Sequence, residues 1–84
     1  MSYSVSTLRR AQKELADLPK DIYPRICEAL QSLGSESRPS GCLKLKGREG
    51  WRIWVGNYRV LYKIDDEQQT VTIVHIGHRR DVYN

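Results

Sequence analysis

Tyr58-Arg59-Val60-Leu61-Tyr62-Lys63-Ile64, followed across Asp65-Asp66-Glu67 by Thr70-Val71-Thr72-Ile73-Val74-His75-Ile76, is the stretch that decides the fold. Both runs are rich in β-branched and aromatic residues, and an acidic turn separates them, so they read as adjacent antiparallel strands. Side chains alternate along a strand. Tyr58, Val60, Tyr62 and Ile64 therefore share one face of the first run, and Arg59, Leu61 and Lys63 the other. The second run leads directly into Gly77-His78-Arg79-Arg80-Asp81-Val82-Tyr83, one residue before the end of the sequence. Arginine, histidine and tyrosine at the end of a rigid sheet are side chains that hold phosphates, move protons and stack on bases.

Upstream, Trp51-Arg52-Ile53-Trp54-Val55 also alternates, and Gly56-Asn57 between two alternating runs is a two-residue hairpin signal. Leu43-Lys44-Leu45-Lys46 reads as a short strand ended by Gly47, and residues 35–41, with Pro39 and Gly41, read as a loop. Further upstream the period changes. Leu8, Ala11, Leu15 and Leu18 recur at helical spacing until Pro19 interrupts them. Ile22, Ile26, Ala29, Leu30 and Leu33 form a second helical stripe, with Gly34 as its expected C-terminal stop. Pro24 fits the first turn of that helix if Asp21 is the N-cap; a helix begun at Pro19 would be kinked there. Tyr3, Val5 and Thr7 alternate with serines as a short first strand. The expected fold is α+β in one domain over 1–84: a short N-terminal strand, a helical hairpin, then a three- to four-stranded antiparallel sheet with the hairpin packed on one face.

Composition sets the bounds. A chain of 84 residues supports one modest core. Apolar residues make up 39% and charged residues 29%, a globular balance. No apolar run approaches the ~20 residues of a membrane-spanning helix, and residues 1–6 show no secretory pattern. Cys27 and Cys42 are too few and too scattered for a disulfide framework, so reduced thiols in a cytoplasm are expected. With His75 and His78 they match no zinc spacing, and neither a metal nor a cofactor is expected.

The net charge of +4 is unevenly placed. From 44 to 63, six basic side chains (Lys44, Lys46, Arg48, Arg52, Arg59 and Lys63) against Glu49 alone leave a local charge of +5. Such a cluster is either a solvated face or an electrostatic footprint for nucleic acid. If Arg52, Trp54 and Arg59 lie away from the helices, with Arg79 and Tyr83 joining from the end of the last strand, they form a basic, aromatic-bearing surface suited to a strand of RNA. The structural alternatives are an ion pair for Arg59, a satisfied mid-strand His75, and packing roles for Trp51, Tyr58 and Tyr62.

The Leu18-Pro19-Lys20 break, Leu43-Lys44-Leu45-Lys46-Gly47, Gly56-Asn57-Tyr58-Arg59-Val60-Leu61-Tyr62 and Gly77-His78-Arg79-Arg80-Asp81-Val82-Tyr83, taken together, resemble the RelE side of the RelE/ParE toxin superfamily over essentially the whole chain. The resemblance implies a small microbial-RNase-like α+β protein that cleaves mRNA in the ribosomal A site. The 2′-hydroxyl attacks its neighbouring phosphate, without a metal, to give a 2′,3′-cyclic phosphate and a 5′-hydroxyl. It also implies an acidic, RelB-like cognate antitoxin that wraps the toxin. By position, Arg59 looks like the family's transition-state arginine, Arg79 like the arginine near the leaving group, and Tyr83 like the tyrosine that orients the mRNA base.

The chain departs from the family pattern where well-studied members carry a lysine pair. Arg52 and Trp54 stand there, and neither readily takes a proton. Lys44, Lys46 or His78 is then left as base, and Arg48, Trp54 and Arg80 join Lys44 and Lys46 as expected nucleic-acid contacts. Two other readings stay open: a ParE-like gyrase poison that binds protein and cuts no RNA, and a catalytically inactive family member.

Overall fold

The structure, a computed structural model, describes residues 2–81. In chain order it comprises β1 (Ser4–Thr7), α1 (Arg9–Ala16), α2 (Tyr23–Ser35), β2 (Leu43–Lys44), β3 (Trp51–Val55), β4 (Tyr58–Asp65) and β5 (Thr70–His78), closed by a 3-10 turn at Arg79–Asp81. The strands form one sheet in the order β1-β5-β4-β3-β2. β2 to β5 are antiparallel neighbours, as their short connections require. β1 adds to the free edge of β5 in parallel, Ser4 opposite Thr70 and Thr7 opposite Ile73, because the two helices carry the chain back before the meander begins.

Helical periodicity and sheet alternation meet in one core. Ala11, Ile26, Leu30 and Leu33 from the helices pack on Ile53, Val60, Tyr62, Val71, Ile73 and Ile76 from the sheet. Tyr62 is fully buried, and its hydroxyl donates to the Ser37 carbonyl at 2.9 Å. Burial pushes the phenol's pKa up, so it stays a neutral donor. Trp51 packs against the same core under the Arg38 guanidinium, 5.2 Å above its ring.

Several local expectations are corrected. α2 begins at Tyr23 with Ile22 at the cap position and no side-chain cap, so Asp21 does not cap it. A turn in which Ile22 and Tyr23 both donate to the Pro19 carbonyl leads in, and Pro24 sits in the first helical turn, where its missing N–H costs nothing. Gly34 does not stop the helix; it lies inside it, buried. A Cβ there would stand 3.0 Å from the Tyr3 carbonyl oxygen and 3.3 Å from Val5 Cγ2, while Tyr3 N–H donates to the Gly34 carbonyl at 2.6 Å. The glycine is a point of close approach between α2 and β1. β2 covers only Leu43–Lys44 rather than four residues, because the chain bends away before returning through a Leu45 N–H bond to the Gly50 carbonyl. The two-residue turn at Gly56-Asn57 forms as expected, with Val55 opposite Tyr58.

The last strand runs two residues beyond Ile76 and contains an irregularity. Leu61 faces His75 but Tyr62 faces Ile73, so Val74 is an extra residue in β5. Val71 and Ile73 face the core; after the bulge the parity is reset and Ile76 faces it instead. His75 is thereby turned to the opposite face.

Candidate nucleic-acid interface

The face of the sheet away from the helices is built from cross-strand neighbours. Leu43 stands opposite Arg52, Arg52 opposite Leu61, Trp54 opposite Arg59, Leu61 opposite His75 and Arg59 opposite Gly77. Trp54 is 38% exposed and Leu43 51%. Leu61, by contrast, is buried on this face under the charged side chains around it.

Two hollows open here. One, of about 330 Å³, is lined by Arg52, Trp54, Gly56 and Arg79. The 3-10 turn brings Arg79 there, anchored by its own N–H to the Asn57 carbonyl at 2.7 Å, which ties the end of β5 to the β3–β4 turn. The other, of about 230 Å³, is lined by Arg10, Arg48, Arg59, Leu61, Val74, His75 and Asp81. The Trp54–Arg59 pair stands where the two adjoin. The Nε of Arg59 is buried and lacks a hydrogen-bond partner among the described residues. A buried, unsatisfied donor on a cation is costly unless an acceptor reaches it, and an anionic oxygen is the acceptor guanidinium fits best.

At the second hollow, α1 covers the edge of β5 that β1 leaves free. Glu14 Oε1 accepts the Ile76 N–H at 2.9 Å, and Oε2 lies 2.7 Å from His75 Nδ1 and 3.3 Å from Arg10 Nε. Glu14 and His75 are both half-buried, their side chains 24% and 17% exposed.

Other expected site residues are distributed differently. His78 stands opposite Tyr58, on the helix-side face, with its ring edge-on to the tyrosine at 5.1 Å. Its Nδ1 accepts the Arg80 N–H at 3.1 Å, so it braces the end of β5 instead of meeting Arg59. Lys44 stands opposite Trp51, whose face is the core side, and Lys44 and Lys46 line neither hollow; Arg48 does. Arg80 is exposed and also lines neither. Tyr83 lies outside the described residues. Sequence reasoning passed over Glu14 and Arg10, and expected His75 only as a satisfied mid-strand histidine. Only the bulge at Val74, which alternation cannot reveal, brings the histidine to this face.

An α+β domain of two helices on a five-stranded mixed sheet is the structural class found in the comparisons. The model of the family described as ParE toxin of type II toxin-antitoxin system, parDE, matches residues 5–83. Toxin RelG of Mycobacterium tuberculosis is 35% identical, covering 99% of this chain and 98% of its own length. The toxin–antitoxin complex RelBE2 from M. tuberculosis contains a chain that superposes with a TM-score of 0.85 at 30% identity, over 94% of this chain and 93% of that one. The archaeal RelE–RelB complex from Pyrococcus horikoshii gives 0.83 at 29% identity, over 94% and 97%. The chain belongs to the RelE/ParE toxin superfamily, the toxins of type II toxin–antitoxin systems. Within it, the fold is RelE-like.

Proposed function

We propose that this toxin is a metal-independent endoribonuclease that cuts mRNA in the A site of the ribosome, held inactive by a cognate acidic antitoxin. The observation that carries the reading is the open sheet face, where Arg48, Arg52, Arg59 and Arg79 line two adjoining hollows about Trp54. Cleavage by an internal 2′-hydroxyl needs little covalent chemistry from the protein; it needs the strand held in line and charge placed on the pentacoordinate phosphorus. In this reading the Arg59 guanidinium, whose buried Nε lacks an acceptor, takes the scissile phosphate. Arg79 and Arg52, in the adjoining hollow, steady the charge developing toward the leaving 5′-oxygen, and Trp54 offers a stacking surface for a base. The paired toxins in the RelE–RelB and RelBE2 complexes support an antitoxin partner, for which exposed Leu43 and Trp54 supply apolar anchors beside basic charge.

The ParE description of the matching family favours a second reading, a gyrase-directed toxin that binds protein and leaves RNA intact. Primer extension on mRNA from a translating extract separates the two. Cuts confined to ribosome-occupied codons support the nuclease; uncut mRNA together with stalled gyrase supports the alternative.

A further inference from the structure

We propose that His75, oriented by Glu14, is the general base that takes the 2′-hydroxyl proton from RNA bound on the open face. The inference rests on the nuclease reading and supplies the proton acceptor that Arg52 and Trp54 cannot. Glu14 Oε2 lies 2.7 Å from His75 Nδ1. An ionised carboxylate only accepts, so in the neutral imidazole Nδ1 is the nitrogen that carries the proton and Nε2 the one with the lone pair. That second nitrogen lies over Gly77, where a Cβ would come within 2.8 Å of it. Gly77 in turn stands directly opposite Arg59 in the ladder. The acceptor nitrogen is therefore seated over the partner of the arginine whose buried Nε has nothing to bond, and both line one cavity of about 230 Å³.

A purely structural role explains less. Glu14 already satisfies the free Ile76 N–H with its other oxygen, so the edge of β5 is covered without the imidazole. The extra residue at Val74 turns His75 out of the core instead of into it. The charged and titratable groups around the ring are Glu14 and Arg10 from α1, Asp17 just after it, Arg59 from β4, Arg48 from the β2–β3 loop, His78 from β5 and Asp81 from the closing turn. Arg48 and Arg59, which pair with no carboxylate among the described residues, offer the charge an anionic strand needs, and the Glu14 carboxylate stabilises the imidazolium once it forms.

The step balances simply. Nε2 takes the 2′-hydroxyl proton as the 2′-oxygen bonds to phosphorus. The bond from phosphorus to the 5′-oxygen breaks, and that oxygen receives a proton from water. The imidazolium later returns its proton to solvent, leaving a 2′,3′-cyclic phosphate and a 5′-hydroxyl.

The test is single-turnover cleavage of mRNA on programmed ribosomes across roughly pH 5 to 9, with melting temperature and ribosome affinity read for each variant. His75→Gln is expected to slow cleavage about 10²–10⁴-fold and to abolish the acid limb of the profile. Glu14→Gln keeps an acceptor for Ile76 but presents an amide donor to Nδ1. It moves the imidazole proton to Nε2 and slows cleavage with affinity and melting temperature unchanged, while Glu14→Asp recovers part of the rate. Wild-type rates and profile in His75→Gln, or a wild-type rate in Glu14→Gln, overturn the assignment and leave the nuclease reading standing. Slowing that follows a fallen melting temperature, with the pH profile unaltered, overturns it in favour of a structural role. A wild-type protein that leaves the mRNA whole overturns both.

Discussion

At the scale of single residues, the candidate site turns on where guanidinium groups sit and on what they lack. Arg59 has a buried Nε with no acceptor among the described residues, and Arg79 is placed by its own backbone hydrogen bond to Asn57. Removing one oriented charge from a transition state costs about 3–4 kcal/mol, or 10²–10³ in rate. Arg59→Ala and Arg79→Ala are each expected to lose that much cleavage while keeping the wild-type circular dichroism spectrum. Arg59→Lys should recover only a minor part, because an ammonium keeps the charge without the two-pronged fork. Wild-type toxicity from either alanine variant would count against the assignment. Arg59 and Arg79 were legible as site candidates from residue type and from the family resemblance, with Tyr58 expected to pack. The placement of His75 was not: an alternating strand gives no sign that Val74 is an extra residue, and His78, which adjoins the arginines in sequence, was the histidine expected at the site, although the ladder sets it on the helix-side face.

At the scale of elements, the periodic parts of the chain were legible and the contacts between them were not. Helical stripes on α1 and α2 and the Gly56-Asn57 hairpin follow from spacing and turn chemistry, so they survive into the structure. Gly34 misleads because a glycine at the end of an apolar stripe normally ends a helix, whereas here it admits β1. Alanine at that position would gain about 1 kcal/mol of helix propensity, against a steric cost of about 1–3 kcal/mol for crowding backbone. Since β1 is held both by Gly34 and by β5, it has little room to yield, and Gly34→Ala is expected to lower the melting temperature. A raised melting temperature would show that β1 shifts freely.

The acidic turn between β4 and β5 also proves to be a tie. Asp66 accepts from Arg38 at 2.9 Å and from the Tyr3 hydroxyl at 2.6 Å, joining the loop after α2 and the approach to β1. Arg38 first, and the Tyr3 hydroxyl second, hold the Asp66 carboxyl below its ordinary pKa of 3.8. A depressed carboxylate stabilises the fold above its unfolded pKa, and the contribution is lost as pH falls from there through the folded value. Melting followed from neutral to acid pH should therefore lose less stability below 3.8 in Asp66→Asn than in wild type. Parallel curves would rule the tie out as an acid-sensitive contact.

At the scale of the whole molecule, the helices and sheet bury one face in the core and leave the other for charge. That division is why 84 residues carry both a core and an extended basic surface. No helix among the described residues is long and apolar enough to cross a membrane. Binding of a short 2′-O-methyl RNA should weaken with salt, with a log–log slope of about −0.7 for each phosphate contacted. Engagement of Arg48, Arg52, Arg59 and Arg79 together predicts a slope near −3 by the same rule, and a flat response would mean that the arginines do not bind phosphate. The central claim is that this face cuts RNA, and its most direct measurement is end-group analysis of mRNA incubated with programmed ribosomes and either wild-type protein or Arg59→Ala. The account predicts fragments ending in 2′,3′-cyclic phosphate and beginning with 5′-hydroxyl from the wild type, and almost none from the variant. Intact mRNA with the wild type, or equal fragments from both proteins, would contradict it.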